Sequence, residues 1–506
     1  MEFCVSPTID EPQGDNSMNT IRHTLLSYLY LLLGVGLYAL VTWRWNVPVA
    51  AWLAPIFLIR FWRTQSKWYA TLPAVLLIWA ASYANKTGAW RMEPWLEIVF
   101  FLVAASPMLI ALFLDRFAAQ RLSGLTRTLV FPAAFVTLDY GISILPLGLG
   151  TSLTLAPSQF YNEPLLQVAA LTGIWGLEFL VLWAAPVINA LREHEFDIRH
   201  VRISAAVYAT VLLGVMAYGG LRLVVERPES PTVRVAGVTV AHTRNYWDVL
   251  LDRATPKDQV QPLIPEMRAL EDDLFAESEQ AARGGAKVIF WSEGDAVITP
   301  ERKAEFFKHA QDFAREHQVY LMPAYLLLRY GDTSGFNGLT MITPQGEIAY
   351  EYEKTMSWYA TTSDGMLHSV DTPYGRLASV ICFDLDFPAH VRQAAEQQVD
   401  IMLVPAFDTY LTRLYHTEVG LPRSVENGFS TIRMVNEGTS MAVDYRGHLL
   451  ASQDFFTTPS RIMVADLPTH GIRTLYGQLG DWFAWLSILL TIGLIGSAAL
   501  RRTVKP

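Results

Sequence analysis

Charge is scarce in this sequence. Only 17% of its 506 residues are Asp, Glu, Lys or Arg, against roughly 25% in a soluble globular protein. That shortage, with 51% hydrophobic residues and a mean hydropathy of +0.23, is what several bilayer-spanning helices produce. Basic residues are in deficit as well: a net charge of −9 argues against nucleic acid as a bulk partner. Cysteine is nearly absent. Cys4 and Cys382 are the only two, which excludes a disulfide scaffold and every multi-cysteine zinc or iron–sulfur pattern. No HExxH, GxSxG or Walker loop occurs. Gly34 and Gly36 lie inside an apolar run and follow no strand, so dinucleotide binding is excluded. His194 and His200 fall in a charged segment and read as solvated.

What is present is a set of apolar runs long enough to cross a hydrocarbon core of about 30 Å. They lie near Thr24–Trp43, Tyr69–Ala84, Trp95–Leu114, Leu165–Leu191, Ile203–Val225 and Trp482–Leu500. Two weaker runs, Val47–Phe61 and Leu129–Leu147, contain proline and need tilt or partial re-entry to span. This predicts seven helices before a soluble domain and one after it. The first run is too long for a cleaved signal peptide, and no small-residue cleavage site follows it. With the N-terminus inside, the inner segments carry Arg22, Arg60, Arg63, Lys67, Arg116, Arg121, Arg127, Arg192, Arg199, Arg202, Arg501, Arg502 and Lys505, and the outer loops Arg44, Lys86 and Arg91. That bias puts the soluble domain outside. The expected divisions are a cytoplasmic tail over 1–20, a transmembrane domain over 21–228, an extracytoplasmic domain over 229–472, and a final helix and tail over 473–506. The loop Gly148–Pro164 has no Lys or Arg. It either reaches the soluble domain or is a plain solvated loop.

Within the soluble part, strand patterns alternate with helical ones. Strands are expected at Thr232–Ala241, Lys287–Trp291, Val319–Leu328, Gly338–Ile342, Ile348–Tyr352, Leu377–Phe383, Ile401–Pro405, Thr431–Val435 and Ser440–Val443. Helices are expected at Ile264–Arg283, Glu301–His317, Pro388–Gln397 and Thr412–Gly428. This is an α/β domain with a mixed sheet.

Three polar residues fall where apolar strands stop: Glu293, Lys354 and Cys382. Singly, each has a bland reading: a cap, a solvated lysine, a buried packing cysteine. As a set they are the parts of a cysteine-based acyl transfer. The thiol supplies the nucleophile, the carboxylate takes and returns its proton, and the ammonium stabilises the oxyanion together with the backbone N–H after the cysteine. A helix opened by Pro388 would add its dipole in favour of thiolate. Trp358, Tyr359, Phe407 and Tyr410 are apolar candidates for a lipid entrance.

The segments Phe290-Trp291-Ser292-Glu293, Tyr352-Glu353-Lys354 and Val380-Ile381-Cys382-Phe383-Asp384 resemble the Glu–Lys–Cys segments of the nitrilase (carbon–nitrogen hydrolase) superfamily. Pro422–Gly428 and Met434–Ser440 resemble its C-terminal helix and strand. Seven helices, such a domain and one more helix is similar to the apolipoprotein N-acyltransferase family. Pro164–Gln167, Leu171–Leu180, Tyr476-Gly477 and Gly480-Asp481-Trp482 resemble that family specifically. The resemblance implies an αββα sandwich on the outer face of a bacterial (inner) membrane, facing the periplasm or the outside, with no cofactor or metal. It implies Cys382 as nucleophile, Glu293 as general base and Lys354 as oxyanion partner. Trp358, Tyr359, Phe383 and Asp384 are expected near the substrate. The implied donor is a phospholipid, and the implied acceptor is the α-amino group of a lipoprotein's diacylglyceryl-cysteine.

Two departures stand out. Lys354 is followed by Thr355–Thr362 (TMSWYATT), without the family's Pro-Phe-Gly-Glu, and Cys382 by Phe-Asp rather than Tyr-Glu. Asp364 and Asp384 are substitutes for the missing glutamate or bland loop and cap residues. The Cys-aromatic-Asp-x-x-Phe-Pro pattern is closer to soluble amidases of the superfamily. A membrane-tethered amidase cleaving a small amide therefore stays open as the alternative, with a non-catalytic lipid-binding descendant as a third reading.

Overall fold

The computed structural model describes residues 14–65, 67–88, 93–145, 148–225, 230–241, 256–328, 330, 336–357 and 361–501. Each apolar run of the sequence is helical. The helices are Gly14–Tyr38, Pro48–Thr64, Leu72–Lys86, Pro94–Ala119, Gly124–Ile144, Ile174–Glu193 and Ile198–Val225, with Trp482–Leu500 after the soluble domain. Four of them (Pro94–Ala119, Ile174–Glu193, Ile198–Val225 and Trp482–Leu500) are long and apolar enough to cross a membrane on length and composition. Leu25, Leu76, Leu102, Leu213 and Leu489 point outward and are exposed, an apolar girdle that calls for lipid rather than water. This is a membrane protein.

The two proline-containing runs are continuous helices, with Pro55 and Pro132 inside them. The Leu165–Leu191 run is a correction. Gly173 (φ +68°) interrupts it, two short turns precede the break, and the long helix starts at Ile174. The break lies against Tyr476, whose ring would stand 2.5 Å from a Cβ at Gly173. Four charges within the helices form one paired group, as a low dielectric favours: Arg63 grips Asp115 through two 2.8 Å bonds, and Glu193 joins Arg63 and Arg127.

The Gly148–Pro164 segment is not a solvated loop. Thr151, Ser152, Thr154, Ser158 and Gln159 are buried, and the Glu178 side chain accepts from the Leu155 and Ala156 amides at 2.6 and 3.0 Å. The helical core runs on through Leu165, Leu166 and Ala169 to Leu421, Val425 and Met441 of the soluble domain, so the two parts share apolar packing.

The soluble domain is a sandwich of two sheets. One has eight strands in the order β14 (Ile462–Pro468), β1 (Thr232–Val238), β2 (Val288–Trp291), β4 (Tyr320–Met322), β6 (Phe336–Ile342), β5 (Ala324–Leu327), β3 (Ala296–Ile298), with β7 (Ile348–Glu353) also on β6. The other has six: β13 (Leu449–Asp454), β12 (Thr439–Val443), β11 (Ser430–Asn436), β10 (Ile401–Phe407), β9 (Gly375–Ser379), β8 (Ser369–Thr372). Both are mixed, as the strand–helix alternation with hairpins predicts.

Side-chain alternation explains the layers. On β10, Ile401 and Leu403 point into the core between the sheets, where they meet Val235, Phe290 and Leu339, while Met402 and Val404 point outward to Val391, Ala394 and Phe429. The outer face of the first sheet is covered by the helices Ile264–Arg283 and Lys303–His317. The layering is αββα.

Boundaries differ where proline or a turn intervenes. Pro323 splits the expected Val319–Leu328 strand into β4 and β5, since proline has no amide to donate. The expected helix Thr412–Gly428 is two short helices, Tyr415–Gly420 and Pro422–Asn427. Strands β3, β8, β13 and β14 were not expected from pattern; all are short edge or half-exposed strands.

Candidate active site

The expected strand through Cys382 stops early. Strand β9 ends at Ser379, and Cys382 opens a 3-10 turn over Cys382–Asp386. Its backbone has φ +49°, a left-handed value unusual for a residue with a Cβ. The turn is held by Asp384, whose amide donates to the Ile381 carbonyl at 3.0 Å and whose Oδ2 accepts from the Ile381 amide at 3.1 Å. The following helix is also shorter than expected: Pro388–Val391 and Gln393–Glu396 are single turns. Four-residue turns have little dipole to lend a sulfur.

The three sequence-predicted residues converge. Glu293 lies two residues beyond β2 and Lys354 directly follows β7. Pairing of β6 with β7 sets the Lys354 amide on the Asn337 carbonyl at 2.9 Å. Lys354 Nζ then donates to Glu293 Oε1 at 2.6 Å, and Asn337 Nδ2 to the same oxygen at 2.7 Å. The second oxygen, Oε2, accepts from the Phe407 amide at 3.1 Å, while Cys382 Sγ faces the Phe407 carbonyl at 3.5 Å. One peptide residue thus joins the carboxylate to the thiol. Burial works against the Lys354 charge, but Glu293, Cys382 and Asp384 outweigh it and hold the ammonium above its usual range.

The Asp384 side chain is buried. Its carboxylate is taken up by the Tyr352 hydroxyl (2.6 Å), the Met356 amide (2.6 Å) and the Ile381 amide, with His390 Nε2 2.9 Å from the same hydroxyl. Asp364 is an exposed turn residue that accepts from the Met366 amide and lies 3.3 Å from His368. Trp358 and Tyr359 lie outside the described residues. Phe383 is buried, edge-on to Phe387, and Tyr410 is 60% exposed, packed on Phe456 under the Arg413 guanidinium.

A cavity of about 190 Å³ opens here. Lys354, Phe383, Phe407, Asp408, Thr412 and His416 line it from the sandwich, and Trp43 and Ser152 from the helical part. Trp43 stacks on Tyr415 with ring centroids 4.4 Å apart. Ser152 donates to Asp386 at 2.7 Å, and Thr151 to the Asp386 carbonyl at 2.8 Å. A larger cavity, of about 750 Å³, is lined by Asp371, Arg376, Arg392 and Arg473 and contains none of the three residues.

Sequence reasoning missed the charged cluster beside the thiol. Arg433 on β11 donates to Asp408 at 2.9 Å, Asp408 is 2.6 Å from His416 Nδ1, and Arg433 Nη2 is 3.8 Å from Cys382 Sγ. The available signal was an arginine in the middle of an otherwise apolar strand, STIRMVN. The ligating atoms of Cys382, Asp408 and His416 lie within 4.8 Å of one another. The Arg433 guanidinium, however, reaches all three, and a fixed cation there competes with any metal ion.

The sandwich defines the class first. Residues 263–476 match the Carbon-nitrogen hydrolase family. Along the whole chain, an apolipoprotein N-acyltransferase of Geobacter metallireducens is 25% identical over 81% of this chain and 82% of its own. One of Gloeobacter violaceus is 25% identical over 88% and 86%. Among solved structures, an amidase from Nesterenkonia sp. matches 49% of this chain and 94% of its own, at 18% identity and a TM-score of 0.38. The chain thus carries a carbon–nitrogen hydrolase domain and is similar along most of its length to apolipoprotein N-acyltransferases.

Proposed function

We propose that this protein is an N-acyltransferase. It moves a fatty acyl chain from a phospholipid to the α-amino group of a lipoprotein's diacylglyceryl-cysteine, through a thioester on Cys382. The observation that carries the reading is the composition of the cavity wall. Lys354 and Phe383, the residue after Cys382, come from the sandwich, while Trp43 and Ser152 come from the helical part, so the chemistry sits beside a wall where a membrane lipid can present its ester.

In the first half-reaction Glu293 takes the Cys382 proton and the sulfur attacks the ester carbonyl. The resulting oxyanion is stabilised by Lys354. Collapse breaks the C–O bond, and the departing lysophospholipid alkoxide takes the proton from Glu293. In the second, the amine attacks the thioester and gives its proton to Glu293; the thiolate leaves and takes that proton back. The arrangement proposed around this site is seven helices before the sandwich, one after it, both termini inside, and the 229–472 domain on the periplasmic face of the inner membrane.

The test is to incubate purified protein with phospholipid and read Cys382 by intact mass. A fatty-acyl increment, removed by hydroxylamine and absent in Cys382→Ala, supports the reading. No increment with any lipid, together with ammonia release from simple amides, moves the assignment to a membrane-tethered amidase. A reporter fused after Pro506 that is active only outside the cytoplasm overturns the topology.

A further inference from the structure

We infer that Arg433 is the counter-ion of the Cys382 sulfur, fixed in place by Asp408 and His416 acting as positioning residues. The inference rests on Cys382 being the nucleophile and adds the group that carries its charge.

Arg433 is 1% exposed in the middle of β11, and burying a guanidinium there costs several kcal/mol unless every donor is used. Nη1 is used: it donates to Asp408 Oδ2 and to the Thr417 hydroxyl. Nη2 faces two atoms, His416 Nδ1 at 3.3 Å and Cys382 Sγ at 3.8 Å. The imidazole stands between two carboxylates, with Nδ1 2.6 Å from Asp408 and Nε2 3.5 Å from Asp386. Burial opposes its charge, but the Asp408 and Asp386 carboxylates outweigh burial and hold it protonated above the usual histidine range. A protonated Nδ1 donates to Asp408 and has no lone pair for Arg433. Among the described residues, the acceptor left to Nη2 is the sulfur.

The other charges around the thiol are already matched. Lys354 is committed to Glu293, and Asp384 to Tyr352 and two amides. Asp386 accepts from Ser152 and lies beside His416. Asp408 lies between Arg433 and His416, and burial notwithstanding, those two cations depress its carboxyl to about 2. Of the cations near the thiol, Arg433 is therefore the one whose N–H donor faces the sulfur, which is negative once on attack and again on leaving. A fixed cation favours both moments without reorganising.

The experiment uses the full-length protein in detergent, without lipid, and compares alkylation of the Cys382 peptide by iodoacetate and by iodoacetamide at one pH. A cation at the sulfur draws the anionic reagent, so Arg433→Gln should lower the iodoacetate-to-iodoacetamide rate ratio by about tenfold. Arg433→Lys should restore most of it, and His416→Gln should lower it by a smaller factor. A merely structural arginine would change both rates together and leave the ratio alone. An unchanged ratio in folded Arg433→Gln overturns the inference; if that variant does not fold, an unchanged ratio in His416→Gln does. A wild-type ratio that behaves as expected, in a protein that forms no adduct with phospholipid, overturns the acyltransferase reading instead and leaves this inference standing.

Discussion

The Ser152 hydroxyl donates a 2.7 Å hydrogen bond to the Asp386 carboxylate, joining the helical part of the chain to the turn that begins at Cys382. Thr151 holds the same residue by its carbonyl, and Glu178 anchors the segment from below through the Leu155 and Ala156 amides. The contact is close: a Cβ at Gly150, which has φ +50°, would stand 2.5 Å from the Asp386 carbonyl oxygen. Ser152→Ala should therefore destabilise the protein by about 1.5–3 kcal/mol, the usual range for a hydrogen bond to a charged group. Thermal unfolding in detergent measures this, and Gly150→Ala should lower the midpoint as well, through both the contact and the backbone strain.

The proposed catalytic set predicts three distinct failures. Cys382→Ala should give no acyl adduct while still folding, with some loss of stability because Arg433 Nη2 loses the sulfur it faces. Glu293→Gln should slow adduct formation because the thiol proton has no acceptor. Lys354→Met should lower it by roughly 10²–10³, the usual loss for an oxyanion donor, and should also destabilise the fold by leaving Glu293 without its 2.6 Å partner. Single-turnover adduct formation, followed by intact mass, separates the three.

Asp384 should behave as a structural residue. Its oxygens bind Tyr352 and the Met356 and Ile381 amides, so Asp384→Asn and Tyr352→Phe should each lower the melting temperature. Adduct formation per folded molecule should fall far less than in Lys354→Met. A kinetic loss as large as that of Lys354→Met, at unchanged stability, would contradict the role.

The contact between the two parts of the chain should weaken as pH rises. Glu418 is 1% exposed and accepts from Asn46 at 2.6 Å. Burial raises its pKa to about 7 from 4.5, against the pull of its bonds to Tyr161 and Asn46. Because the native state holds this proton more tightly than the unfolded one, stability is highest below about 4.5 and falls as pH rises through 7. Glu418→Gln should remove that slope and raise the melting temperature at pH 8, with a ceiling of about 3 kcal/mol from the size of the shift. Melting scans from pH 5 to 8 check it.

How much was legible in the sequence follows from the range of the interactions involved. The Ile264–Arg283 helix was readable to the residue, because its acidic, amphipathic repeat and terminal Gly284 are local. Glu293, Lys354 and Cys382 were readable because each interrupts or ends an apolar run. Strands β13 and β14 were not: their half-exposed patterns, such as LLASQD, carry weak alternation and are held by pairing to distant partners. The Cys382 turn was misread as strand because apolar continuity from Leu377 to Phe383 conceals a left-handed residue. Asp408, His416 and Arg433 come from three separate elements, and only the parallel pairing of β10 and β11 brings Arg433, opposite Val404 in mid-strand, within reach of Asp408 just past the end of β10.

The Phe407 peptide has an implication for how this site will look in genetic data. Its amide binds the Glu293 carboxylate and its carbonyl faces the Cys382 sulfur, and both groups belong to the backbone. Exchange of the side chain for another large apolar one leaves them in place and keeps the cavity wall, so a saturation scan should score such residues as permissive at position 407 and proline, which lacks the N–H, as not. The link between the Glu293 carboxylate and the Cys382 thiol is thus written in a part of the polymer that codon changes do not reach. Replacing the Phe407 amide by an ester through semisynthesis, which deletes that single N–H, is the substitution that exposes it.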